Sequence, residues 1–99
     1  MKHILQVDFP YSGPFGDEMT NAMEGLAQDI AGESGLIWKI WTENEEDKIA
    51  GGIYLFDNIE DAKRYLEKHT QRLESFGFSE IRGVIFKVNE ALSAIDNFK

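Results

Sequence analysis

The sequence contains no cysteine. Disulfides, thiolate metal sites and a cysteine nucleophile are therefore excluded, and a reducing compartment fits. Histidine is nearly as scarce. His3 and His69 are the only two, and neither has the spaced carboxylate partners of a zinc site, so no metal is expected. Neither a GxGxxG nor a P-loop pattern occurs. Gly51-Gly52 lies inside a strand-like run, where a glycine pair marks a bulge or a close approach of another group to the backbone. No apolar run approaches the length that spans a bilayer, so no membrane contact is expected. Basic residues are also in short supply, 10 against 18 acidic ones, for a net charge of −8. Such a chain repels phosphate backbones. The densest basic stretch, Lys63, Arg64, Lys68 and Arg72, is interleaved with Glu60, Asp61, Glu67 and Glu74. It reads as a solvated helix face, and no nucleic-acid partner is expected. Met1-Lys2-His3-Ile4 runs straight into a strand-like stretch without the charged, apolar and cleavage regions of a leader, so the expected location is cytoplasmic.

What remains is an ordinary globular composition, 42% apolar and 28% charged over 99 residues. That length suits one domain, residues 1–99. Residues 3–9 read as a strand with Leu5, Val7 and Phe9 on one face. Ser12, Gly13, Pro14 and Gly16 break the chain. Residues 17–31 carry Met19, Ala22, Met23, Leu26, Ala27 and Ile30 at helical spacing, with Gly32 or Gly35 to end the helix. Residues 36–43 are a strand rich in aromatic and β-branched side chains. Polar residues 44–48 form a hairpin loop, and 50–57 is the return strand. A second helix spans residues 59–75, capped by Asn58 or Asp57 and stopped by Gly77. Its buried stripe is Ile59, Ala62, Leu66, His69 and Leu73. Residues 79–88 form the fourth strand, and 89–98 a short helix or a tail. The order β-α-β-β-α-β with short connections is the split βαβ arrangement. This is an α+β, ferredoxin-like fold: a four-stranded antiparallel sheet with two helices on one face.

The middle hairpin departs from the alternation of a half-wet sheet. Leu36, Trp38 and Ile40 are assigned to one face and Ile37 and Trp41 to the other. Ile53 and Leu55 likewise oppose Tyr54 and Phe56. Two helices cover one side only, so the other side would expose an apolar patch too large for a monomer. The expected cover is a second copy, sheet against sheet, giving a homodimer.

His69 sits where the stripe calls for an apolar residue. Two readings fit: a buried histidine satisfied by a hydrogen bond, or a cavity-lining acid, base or donor. Tyr65 and Arg72 flank it on the same helix. Trp38, Trp41, Tyr54 and Phe56 either pack as core and dimer contacts or wall a flat pocket for an aromatic ligand. Met19 and Met23 face the sheet, and their flexible thioethers suit core or an adaptable pocket wall.

Five segments carry a resemblance: Gly13-Pro14-Phe15-Gly16-Asp17, Gly35 through Glu43, Ala50 through Phe56, Tyr65 through Thr70, and Val88-Asn89-Glu90 followed by Leu92-Ser93. Together they resemble the YdhR-like family of proposed monooxygenases, over nearly the whole chain. That resemblance implies a dimeric α/β barrel built from ferredoxin-like subunits. It also implies a cofactor-independent monooxygenase that oxidises an aromatic, quinol-like or polycyclic phenolic small molecule, with no flavin, haem or metal. On this reading His69 and Tyr54 are the catalytic residues, and Trp38, Trp41, Phe56, Tyr65, Met19 and Met23 bind substrate. The alternative is a non-catalytic small-molecule-binding or structural homodimer.

Overall fold

The computed structural model describes residues 1–98. Lys99, the last residue of the expected domain, lies outside the described residues. The elements run β1 (His3–Pro10), α1 (Gly16–Ala31), β2 (Leu36–Asn44), β3 (Ile49–Phe56), α2 (Ile59–Ser75), β4 (Arg82–Lys87) and α3 (Glu90–Ile95). The four strands form one antiparallel sheet in the order β2-β3-β1-β4, and α1 and α2 pack on one face of it. This is the expected ferredoxin-like arrangement.

Each element has a local cause. The α2 helix contains neither glycine nor proline. Asn58 accepts a hydrogen bond from the Asp61 amide at 2.8 Å, which caps the helix. Glu60 and Asp61 lie in its first turn and Arg72 in its last, as the helix dipole favours. Its buried residues Ala62, Tyr65, His69 and Leu73 recur at 3-and-4 spacing and form one stripe. In the β2–β3 turn, Asn44 Oδ1 accepts from the Asp47 amide at 2.9 Å, and Lys48 takes a left-handed φ of 57°. The fourth strand starts three residues later than its composition suggests, because Glu80 adopts φ 54° and turns the chain before Arg82.

Strand register decides which side chains meet the helices. Leu5 pairs with Tyr54 and His3 with Phe56, and Lys39 pairs with Tyr54. These residues therefore share the helix-covered face. Leu5, Phe56, Tyr54, Tyr65, Ile30 and Val7 are fully buried there, each contributing roughly 1.5–3 kcal/mol. The face assignment of β2 needs correction. Its register slips between Leu36 and Trp38, so Ile37 is a bulge residue. Leu36 turns to the core with Trp41, while Trp38 and Ile40 lie on the far face opposite Leu55 and Ile53. A bulged strand places two residues against one and so reverses the alternation.

The Gly51-Gly52 pair is not a bulge, since its pairing with β1 is regular. It is a place of close approach. A Cβ on Gly52 would stand 2.7 Å from Lys39 Cε, so the missing side chain makes room for the lysine stem to cross β3.

Candidate functional site

The sheet and the two helices enclose a small cavity. Phe9, Tyr11, Trp41, Tyr54 and Phe78 supply aromatic wall, Met19 and Met23 line it from α1, and His69 and Leu73 line it from α2. It holds about 30 Å³, enough for one or two waters. An outer groove of about 430 Å³ runs between α1 and the edge of β2. Met19, Met23 and Trp41 border both spaces, so two flexible thioethers and one indole separate the groove from the cavity. A ring-sized ligand entering from the groove would displace methionine side chains, which adapt readily.

The polar groups of the cavity form one connected set. The Tyr65 hydroxyl donates to the Tyr54 hydroxyl at 3.2 Å, in a buried pair. The His69 ring stacks on Tyr65 with centroids 5.0 Å apart. Arg72 faces His69 Nδ1, with Nη2 at 2.9 Å and Nε at 3.3 Å. Guanidinium only donates, so Nδ1 must accept, and the neutral ring then carries its proton on Nε2. Burial, followed by the charges of Lys39 and Arg72, pulls the His69 pKa down to about 3. His69 is therefore neutral at physiological pH and presents an N–H donor. Arg72 is itself paired with Asp29 at 2.9 Å. Burial pushes Tyr54 far above the ordinary phenol range, and Tyr65 up to about 12. Both phenols stay protonated at neutral pH.

Lys39 belongs to this set. Its Nζ lies 3.4 Å from the Trp41 ring centroid and 4.7 Å from that of Tyr54. Among the described residues it makes no ion pair. Burial, then the charge of Arg72, lowers its pKa to about 7, while the two ring faces favour its charged form.

The structure brings together Tyr54, His69, Trp41, Met19 and Met23 around the cavity. Tyr65 and Phe56 stand behind this wall: Tyr65 supports Tyr54 and His69, and Phe56 stacks beside Tyr54 with centroids 6.3 Å apart. Trp38 does not join them, because it pairs with Leu55 and, three residues from Trp41 in a regular stretch of strand, lies on the far face beside the sheet edge. Sequence reasoning overlooked Lys39. The signal was its parity: Lys39 and Trp41 are two apart in one strand and must share a face.

The sequence matches the family described as "Putative mono-oxygenase ydhR" over residues 4–99. No curated protein matches it. Two solved structures share its fold. One is described as a "putative antibiotic biosynthesis monooxygenase" from Deinococcus radiodurans, with TM-score 0.64 and 12% identity over 88% of this chain and 92% of that one. The other is a mutant of SnoaB, a cofactor-independent oxygenase from Streptomyces nogalater, with TM-score 0.62 and 16% identity over 89% of this chain and 93% of that one. The family match spans all but three residues of the sequence, and the chain belongs to this mono-oxygenase family.

Proposed function

We propose that this chain is a cofactor-independent monooxygenase that oxidises an aromatic, quinol-like or polycyclic phenolic small molecule. The observation that carries this reading is the cavity itself. It is apolar and aromatic, adjoins a groove across Met19, Met23 and Trp41, and is lined by a neutral imidazole donor and the Tyr54 phenol, which Tyr65 backs from behind the wall. Such a lining suits a flat ring system once Met19 and Met23 swing aside to enlarge the space, and it leaves few polar groups to orient the ring. The substrate loses a proton, and the resulting anion passes electrons to O₂. One oxygen atom enters the product, and the other leaves as water with two hydrogens from the substrate. The chain desolvates the ring, with Trp41 and Tyr54 on its faces, and orients it. His69 Nε2–H donates to the ring oxygen where negative charge develops, and the Tyr54 hydroxyl is placed to do the same.

Oxygen uptake by metal-free protein, measured with a panel of anthrones, quinols and polycyclic phenols, tests this. Uptake above autoxidation that is lost on boiling is the expected result. No uptake across the panel overturns the oxygenase reading. Ligand binding without uptake selects the alternative, a binding protein that uses the same cavity.

The active form in this proposal is a homodimer joined through the open sheet face. Ile40 and Phe86 are about half exposed on that face, with Trp38, Ile53, Ile4 and Val84 between them at least partly buried. One patch that runs across all four strands can pair with its own copy about a two-fold axis. Light scattering at micromolar concentration should give twice the chain mass. Phe86→Asp should shift the protein to monomer, because a carboxylate buried in an apolar interface has no partner there. A monomeric parent protein would refute the dimer.

A further inference from the structure

The reaction just proposed needs a group that takes a proton from the substrate, and the geometry leaves few candidates. His69 cannot serve, because its acceptor nitrogen is held by Arg72 and the other nitrogen already bears hydrogen. Tyr54 and Tyr65 are kept protonated by burial. Among the described residues, no carboxylate lines the cavity. Asp29, on α1, is engaged by Arg72, and Glu24 and Glu43 stand in the outer groove. Among the described residues, the remaining basic lone pair that borders the cavity is on Lys39.

We propose that Lys39 is the proton acceptor of this site, so that the cavity selects acidic phenols and enols and holds them as oxyanions beside the lysine ammonium. The inference rests on the reading that the cavity takes an aromatic hydroxy compound. It goes further in naming the base and the property of the substrate that the base demands. The step is a simple proton transfer: the ligand O–H bond breaks, an N–H bond forms on Nζ, and the electron pair stays on oxygen. Afterwards the ammonium remains as counter-ion, and His69 Nε2–H supplies a second contact to the anion. Three features of the structure support this. Lys39 has no carboxylate to hold it in the charged form among the described residues. Gly52 leaves space for its stem. The faces of Trp41 and Tyr54 lie against Nζ and stabilise the ammonium once it has formed. An aryl ether lacks the proton and gains none of this.

The test uses 2-naphthol without oxygen at pH 7.5, where a free phenol of pKa about 10 is un-ionised. Bound naphthol should show a naphtholate absorption band that the free compound lacks at this pH, because the lysine ammonium beside the oxygen favours the anion. Lys39→Met should bind the probe in its neutral form. 2-Methoxynaphthalene should bind both proteins alike, which shows that the cavity of the variant is intact. Affinity for naphthol in the parent protein should fall as pH drops through about 7, where Lys39 gains its proton before the ligand arrives. The Lys39→Met profile should be flat there. Neutral naphthol in the parent site, unchanged ionisation in Lys39→Met, or no binding at millimolar concentration would each overturn the proposal. Because oxygen is absent, the result is separate from turnover. Ionised naphthol with no oxygen uptake on the panel removes the oxygenase and keeps the Lys39 site. Uptake with un-ionised naphthol does the reverse.

Discussion

Gly51→Ala is expected to cost about 3 kcal/mol or more, at the upper end of what overpacking does. Gly51 lies mid-strand in β3, paired with Asp8 on one side and Thr42 on the other. A Cβ built there would stand 1.9 Å from the Val7 carbonyl oxygen and 2.8 Å from the Asp8 Cα. Both are backbone atoms of the central strand, so no side chain can swing away to relieve the clash. β1 and β3 would have to separate within their paired stretch, where Val7, Ala50 and Gly51 are buried. In a domain of this size each kcal/mol shifts Tm by roughly 4–8 °C, so a loss of about 12 °C or more is expected by circular dichroism. A Tm within a degree or two of the parent would mean that the strands do not approach as closely as described. Gly52→Ala meets the flexible Lys39 stem instead. It should be milder for stability, and its effect should fall on the site.

His69→Ala should lower kcat on any substrate found by oxygen uptake by about 10²–10³-fold, the usual effect of removing one preorganised donor to a developing oxyanion. The fold should survive, because Arg72 keeps its Asp29 partner and is not left as an uncompensated charge. His69→Gln can present an N–H in a similar place and should recover part of the loss. Turnover unchanged in His69→Ala would remove the residue from the mechanism. The pH profile carries a second expectation. His69 titrates near 3, so it contributes no limb around 6 to 7. A rate that falls as pH drops through 7 belongs to Lys39, and it should persist in His69→Gln.

The order of elements was legible in the sequence because each has a strong local signal. The α2 stripe, its asparagine cap and the polar hairpin turn are all short-range features, and α2 begins and ends where its pattern places it. The alternation in β3 was legible for the same reason, since that strand is regular on both sides. The alternation in β2 was not. Its bulge depends on how Leu36 and Trp38 align with a different strand, and a run of large apolar residues fits either register. That one slip misplaced Leu36, which faces the core instead of sharing a face with Trp38 and Ile40. The candidate site was legible in part. His69 drew notice as a polar residue on an apolar stripe. Its tautomer depends on Arg72 one turn away, and the state of Lys39 depends on burial by helices distant in sequence. Neither property exists until the layers have packed. Lys39 also has a bland appearance in the sequence, because a strand lysine ordinarily faces water.

The odd spacing of Trp38 and Trp41 along the regular stretch of β2 has an experimental consequence. The chain has two tryptophans, and the sheet lies between them: Trp41 borders the cavity and the outer groove, while Trp38 sits with the apolar patch on the far side. Their emission therefore reports on different events. If the proposed function holds, Trp41 fluorescence would follow the arrival of a ligand, and Trp38 fluorescence the meeting of two chains. A steady-state spectrum adds the two signals, so a change in protein concentration during a titration would mimic binding. Replacing one tryptophan at a time with phenylalanine would turn the two faces of one sheet into independent optical channels.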